Sequence, residues 1–144
     1  DIIQFFKIYI DYMKKRIPKT VSLTTEFKTE KLLANINAPL FSWVIENIIK
    51  NAADAMDGNG EIVLYSERDQ NNIIIKIKDN GKGIPLSEQK TIFQPGFTTK
   101  ERGWGLGLSL AKRIVEGHHN GIIYVASSKI NSGSVLEIRL PAIN

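Results

Sequence analysis

Three stretches of this chain hold residues whose types and spacing could do chemistry. Asp79-Asn80-Gly81-Lys82-Gly83-Ile84-Pro85 places one carboxylate at the end of an alternating apolar run, followed by two closely spaced glycines. Gly103-Trp104-Gly105-Leu106-Gly107-Leu108 places three alternate glycines ahead of a stretch with helical periodicity. Upstream of both, Asn47 and Asn51 stand one helical turn apart. Between the glycine clusters lie Phe93-Gln94-Pro95-Gly96-Phe97-Thr98-Thr99-Lys100. Each feature alone is weak. Together they suit a purine nucleotide, its phosphates and a metal ion.

The chemistry of each stretch follows from its residue types. Ile73, Ile75, Ile77 and Asp79 recur at period two, so Asp79 is expected on the buried side of its strand. A buried carboxylate needs hydrogen-bond donors. One reading supplies them from backbone amides of the Asn80-Gly81 turn; the other makes the carboxylate accept the exocyclic amine of adenine. Gly81 and Gly83 let the backbone approach a flat ligand, although a lone Gly-x-Gly usually marks only a turn. The second glycine cluster opens a helix, where free amides and the dipole favour phosphate. It is neither the Rossmann pattern nor a Walker loop. Thr98, Thr99 and Lys100 could reach terminal phosphates, and residues 86–104 could form a lid between glycine hinges. The amide oxygens of Asn47 and Asn51 suit magnesium, which keeps waters and uses substrate phosphates. The plain alternative for them is two asparagines on an exposed helix face. For Glu46, Lys50 and Asp54 it is a surface ion-pair row.

The elements that must position these residues can be read from periodicity. Residues 2–17 form a helix with two apolar stripes: Ile3, Phe6, Ile10, Met13 and Ile17, then Ile2, Phe5, Tyr9 and Tyr12. Two stripes point to a bundle helix that pairs with another chain rather than to a helix packed on its own domain. Val21–Phe27 alternates as a strand, and 31–36 is a weaker strand candidate. Pro39 opens a helix to about Met56, with Phe41, Ile45, Ile48, Ile49, Ala52 and Met56 inward and Asn47, Asn51 and Asp54 on the opposite face. Glu61–Arg68 and Asn72–Asp79 form a hairpin, 106–116 a helix, and Ile122–Ser127 and Ser134–Leu140 a second hairpin. Adjacent hairpins imply a largely antiparallel sheet with helices on one face.

Composition narrows the class. The chain has 144 residues, no cysteine and a formal charge of +4. That suits one domain, excludes disulfides and thiolate metal sites, and fits a reducing compartment. No apolar run reaches the roughly 18 residues of a membrane span. The basic residues are not interleaved with aromatics, which argues against nucleic acid. The chain begins at Asp1 and reads as a segment of a longer protein.

In order and type, these motifs resemble the ATP-binding catalytic domain of sensor histidine kinases, in the superfamily shared with DNA gyrase, mismatch-repair and heat-shock ATPases. Glu46 to Met56 is similar to that family's N box, Asp79 to Pro85 to its first glycine box, Phe93 to Lys100 to its F box, and Gly103 to Leu108 to its second glycine box. The resemblance covers roughly residues 20–141. It implies an α/β two-layer sandwich, a mixed five-stranded sheet with three helices on one face, plus a short N-terminal helix. It implies ATP and Mg2+ as cofactors. Asn51 and Asn47 would hold the metal, and Asn47 and Lys100 would serve the chemistry. Asp79, Gly81, Gly83 and Ile84 would lie around the base. Lys50, Asp54, Phe97, Thr98, Thr99, Gly103, Trp104, Gly105, Leu106, Gly107 and Leu108 complete the implied nucleotide site. Residues 1–18 would be the end of the dimerisation and phosphotransfer helix, and 19–144 the ATP-binding domain. The implied partners are the histidine-bearing dimerisation domain of a homodimeric parent and a downstream response regulator. The implied location is the cytoplasm, with no membrane contact by this segment.

The sequence departs from the pattern in places. The hydrolysing relatives carry a glutamate four residues before the metal-binding asparagine; here that residue is Asn47, which cannot be a general base. This favours the kinase branch. Many relatives carry a base where Asp54 stands, and Trp104 replaces a small residue. No acceptor histidine motif occurs, and His118 and His119 read as turn residues after the helix. The competing reading is a non-catalytic or degenerate ATP-binding module that signals through conformation.

Overall fold

The computed structural model describes residues 1–29, 31–57, 59–84, 86–94, 107–129 and 132–143. Three α-helices and five strands occur among them. They run α1 (Ile2–Lys14), β1 (Val21–Phe27), α2 (Ala38–Ala55), β2 (Gly60–Asp69), β3 (Asn72–Asp79), α3 (Gly107–His119), β4 (Ile122–Lys129) and β5 (Gly133–Pro141). Two short 3₁₀ turns, Leu86–Glu88 and Thr91–Phe93, precede α3. The strands form one mixed sheet in the order β1-β2-β3-β5-β4. β1 runs parallel to β2 and every other pair is antiparallel. The two hairpins expected from sequence therefore lie side by side, joined through β3 and β5.

Strand alternation sorts the sheet into two faces. Ile62 and Leu64 of β2, Ile73, Ile75 and Ile77 of β3, and Leu136, Ile138 and Leu140 of β5 are buried in the main core. α2 meets them with Phe41, Val44, Ile45, Ile48, Ile49 and Ala52. Its start is set by Asn37, whose Oδ1 accepts from the Leu40 N–H at 3.1 Å, with Pro39 in the first turn. The opposite sheet face carries a cross-strand row in register: Glu26, Tyr65, Lys76, Glu137 and Tyr124. Glu137 is buried there, yet it accepts from the Tyr124 hydroxyl and pairs with Arg139 at 2.7 Å and Lys76 at 3.9 Å. Burial opposes its charge, but those donors hold its carboxyl below the usual range.

Two expected element boundaries change. Residues 31–36 form no strand; instead Leu32 is tied to the start of α1. Its carbonyl accepts from Ile2 N–H at 2.7 Å, and its own N–H donates to Asp1 Oδ1 at 3.1 Å. The Leu33 carbonyl is taken by the C-terminal tail, from Ile143 N–H at 2.8 Å. With its backbone groups engaged there, the segment does not join the sheet. The last helix runs on to His119 rather than ending near 116, so both histidines belong to its final turn.

α1 packs within the chain. Ile2, Ile3, Phe5, Phe6, Ile10 and Met13 are all buried in the shared core. Phe5 meets Phe41 edge-on at 5.5 Å, and Phe6 stacks on Phe27 at 5.9 Å. The second apolar stripe is thus largely used on this domain. Ile8, 68% exposed, and Tyr12, 47% exposed, face outward. No helix among the described residues is long and apolar enough to cross a membrane. Because Phe6 is fully buried against β1, Phe6→Ala is expected to cost about 3–5 kcal/mol in urea unfolding. A helix merely appended to the domain would show a loss below about 1 kcal/mol.

Candidate functional site

The β3 alternation carries Asp79 to the helix side of the sheet, where it is 5% exposed. Its Oδ1 accepts from the Gly81 N–H at 2.8 Å, and the carboxylate also accepts from the Ser134 backbone. Burial pushes its pKa up, against the pull of those two amides. The turn reading of Asp79 is therefore observed. It uses only part of the carboxylate's accepting capacity, which extends to roughly four lone-pair sites. The turn is anchored on the C-terminal end of α2, where Lys82 N–H donates to the Ala55 carbonyl at 3.1 Å. Asn80 Oδ1 accepts from Glu61 N–H at 3.1 Å.

The second hairpin closes on this turn. Ile84 N–H donates to Ser128 Oγ at 2.7 Å, and Ser128 Oγ lies 2.9 Å from Ser134 Oγ. Gly133 has φ +105°, and a Cβ there would overlap the Asp79 carbonyl oxygen. Only glycine lets β5 begin this close to Asp79. A cavity of about 190 Å³ lies at this hairpin, lined by Lys78, Asp79, Ser127, Ser128, Ser132 and Ser134. That is below the roughly 300–1,000 Å³ usual for small-molecule sites. Ser128 and Ser134 were not singled out from sequence. Ser134 is the register partner of Asp79, a pairing set by the β3–β5 contact rather than by any local motif.

The asparagine face of α2 meets the start of α3. Asn47 Nδ2 donates to the Trp43 carbonyl at 2.8 Å, while Oδ1 is the acceptor of that amide. A Cβ on Gly107 would lie 3.1 Å from Asn47 Oδ1 and 4.0 Å from Asn51 Nδ2. The N-terminal end of α3 thus approaches both asparagines. Lys50 pairs with Glu46 at 3.1 Å, as the i, i+4 spacing predicts, and Arg16 reaches the same oxygen at 2.6 Å. Burial works against the charge on Glu46, but Lys50 and Arg16 hold its carboxyl below the usual range.

Asn47, Asn51 and Gly107 therefore form one cluster, and Leu108, next in α3, is half-buried against the core. Asp79, Gly81, Gly83 and Ile84 form a second at the C-terminal end of the same helix. Lys50 and Asp54 lie on α2, with Lys50 held by Glu46. Phe97, Thr98, Thr99, Lys100, Gly103, Trp104, Gly105 and Leu106 lie outside the described residues. Of the expected lid, residues 86–94 are described apart from neighbouring Pro85, and they bury Ile92 and Phe93. Among the described residues no group of three His, Cys, Asp or Glu side chains could hold a metal. The Asn47 amide oxygen beside a helix start fits a hard cation that takes most of its ligands from water and phosphate.

Residues 37–144 match the family described as histidine kinase-, DNA gyrase B-, and HSP90-like ATPase. The chain belongs to that family. It is homologous to sensor histidine kinases. Over 111 residues it is 43% identical to the signal transduction histidine-protein kinase AtoS of Escherichia coli, covering 74% of this chain and 18% of AtoS. The chain therefore spans only a small part of that relative. The nucleotide-free catalytic domain of histidine kinase ThkA superposes with TM-score 0.78 at 28% identity, covering 96% of this chain and 88% of that one. ThkA in complex with the response regulator TrrA gives 0.76 at 25% identity, covering 99% of this chain and 39% of that one. The open mixed sheet with its helical layer is the fold of these catalytic domains, and α1 lies largely within the superposed length.

The raised pKa of Asp79 sets a pH dependence. The native state binds this proton more tightly than the unfolded chain. Its contribution to stability is complete below the ordinary carboxylate pKa of about 3.9 and is lost as pH rises through the higher native value. Wild-type stability relative to Asp79→Asn should therefore rise as pH is lowered from about 7 to about 4. Urea midpoints of the two proteins at both pH values measure the difference; parallel curves would remove the buried-carboxylate argument.

Proposed function

We propose that this domain binds Mg-ATP and donates the γ-phosphoryl group to a histidine on a separate dimerisation domain of its parent sensor kinase. The observation that carries this reading is the approach of Gly107 to Asn47 and Asn51, with Asp79 buried at the other end of α2. Asp79 would accept the adenine amine with its remaining lone pairs. The first amides of α3 would face phosphate oxygens. Asn47 and Asn51 would hold Mg2+ through their amide oxygens, with phosphate and water completing its shell. When bound, the ion neutralises charge on the transferring phosphoryl group. Thr98, Thr99 and Lys100 would act on the terminal phosphate, and residues 86–104 would close over it.

The same residues account for choice of acceptor. Asn47 has no proton-accepting power at neutral pH, so water in the site stays poorly activated. Positioning and charge neutralisation are what phosphoryl transfer chiefly needs, and a histidine delivered by another domain can supply the nucleophile. Residues 19–144 would form the nucleotide-binding unit, and residues 1–18 would connect it to the dimerisation helices. The parent would be a homodimer working in the cytoplasm. The ThkA complex supports a response regulator as the downstream partner.

Asp79→Ala should weaken ATP and ADP alike, because the lost contact is to the base. Removal of a charge-assisted hydrogen bond worth roughly 1.5–3 kcal/mol corresponds to a loss of about 10- to 150-fold. Titration calorimetry on the folded variant measures it, and unchanged ADP affinity would rule out the adenine contact.

With γ-labelled ATP, the isolated domain should bind nucleotide and release phosphate very slowly. Adding the histidine-bearing helices of the parent should move label onto them. Asn51→Ala should abolish that transfer while leaving residual nucleotide binding through Asp79. Brisk phosphate release by the domain alone, or label on His118 or His119, would show a different activity. Binding without transfer to the parent helices would identify a non-catalytic module.

A further inference from the structure

His119 is 4% exposed, at the last residue of α3, and the chemistry proposed above does not use it. Its ring bridges two helices. Nε2 accepts from the Asn37 N–H at 3.0 Å, and Nδ1 lies 3.0 Å from the Ile114 carbonyl oxygen. A backbone N–H can only donate, so Nε2 carries no proton. Nδ1 must then be the protonated nitrogen and donates to Ile114. Asn37 is the N-cap of α2, and the ring also packs against Phe41 at 5.5 Å between centroids. His119 thus ties the first residue before α2 to the last turn of α3.

The two helices run antiparallel, since the end of α3 meets the start of α2 while Gly107 meets Asn47 and Asn51. Asn37 and Asn47 are separated by about 15 Å of helix, and Gly107 and His119 by about 18 Å. Apolar packing between helices fixes distance better than register, because dispersion contacts are not directional. The imidazole supplies direction at one end. At the other end, Gly107 leaves room for α3 to approach Asn47 and Asn51. A slip of one residue along α2 would move the α3 amides by about 1.5 Å, and displacements of that order are costly where groups must converge on a reacting phosphate.

We propose that His119, as the neutral Nδ1–H tautomer, is a positioning residue that sets the register of α3 on α2 and so aligns the phosphate and metal end of the nucleotide site. The proposal rests on the nucleotide reading above. It separates the two ends of the ligand. The base end depends on Asp79, Gly81 and Ser134, which are held by β3, β5 and the end of α2. The phosphate end depends on where α3 begins.

The test compares Mg-ATP with adenosine on the wild-type domain, His119→Leu and His119→Gln. His119→Leu should bind Mg-ATP about 3- to 10-fold more weakly, the scale of one net hydrogen bond, with adenosine affinity unchanged. His119→Gln, whose amide can both accept and donate, should recover most of the loss. Should the leucine variant not fold, the glutamine variant and nitrogen NMR of the wild-type imidazole carry the test, the latter expected to report Nδ1–H. An equal loss of adenosine and Mg-ATP in a folded variant would reduce His119 to a stability role and overturn the proposal. So would unchanged Mg-ATP affinity in the leucine variant, or a protonated Nε2. A wild-type domain that binds neither ligand would remove the nucleotide reading itself, and this proposal with it.

Discussion

Gly107 carries no side chain, and so α3 can begin within van der Waals reach of the Asn47 and Asn51 amides. Any Cβ there would press on Asn47 Oδ1, the acceptor atom of an amide whose Nδ2 donates to Trp43. The site depends on this approach because it brings a helix start beside the Asn47 amide oxygen on another helix. α2 can present those donors only because its other face is anchored. Phe41, Val44, Ile45, Ile48 and Ile49 are buried in the core, which fixes the face of α2 that bears the asparagines.

A second constraint acts at the far end of α2. Asp79 is a carboxylate in a mostly apolar setting, and two backbone amides from different strands and turns stabilise it there. Those amides come from Gly81 and Ser134, so the geometry of the carboxylate requires both the β3 turn and the start of β5. Gly133 permits that meeting by its positive φ and by leaving room for the Asp79 carbonyl. The base end of the site is therefore built from the sheet and the phosphate end from the helix pair. α2 is the rigid spacer common to both.

The unhelical face of the sheet is stabilised by a different means. Glu137 is buried in the row that crosses all five strands, and it is satisfied by Tyr124, Arg139 and Lys76. A charged network of this kind keeps the face polar without leaving an orphaned carboxylate. α1 covers the other side, where Phe5 and Phe6 connect the helix layer to β1 through Phe41 and Phe27. Arg16, just beyond α1, reaches Glu46 beside the asparagine pair, so the N-terminal segment touches the helix that carries the site.

Much of this was legible in the sequence where the physics is local. Period two placed Asp79 on the buried face of β3, and period 3.6 separated the apolar and asparagine faces of α2, because those periodicities are properties of the backbone. The glycine clusters, with Asn47 in place of a glutamate, indicated the family and its kinase branch. Other features were decided only by tertiary structure. Residues 31–36 have strand-like composition, yet Asp1 and the C-terminal tail take their backbone partners. The second stripe of α1 resembled a surface for another chain until Phe41 filled it. Ser134 became part of the Asp79 site through β3–β5 register, and His119 passed from a turn residue to a buried bridge through a donor 82 positions away in the chain. A sequence states which groups each element can offer; which distant donor meets which acceptor depends on how the elements pack.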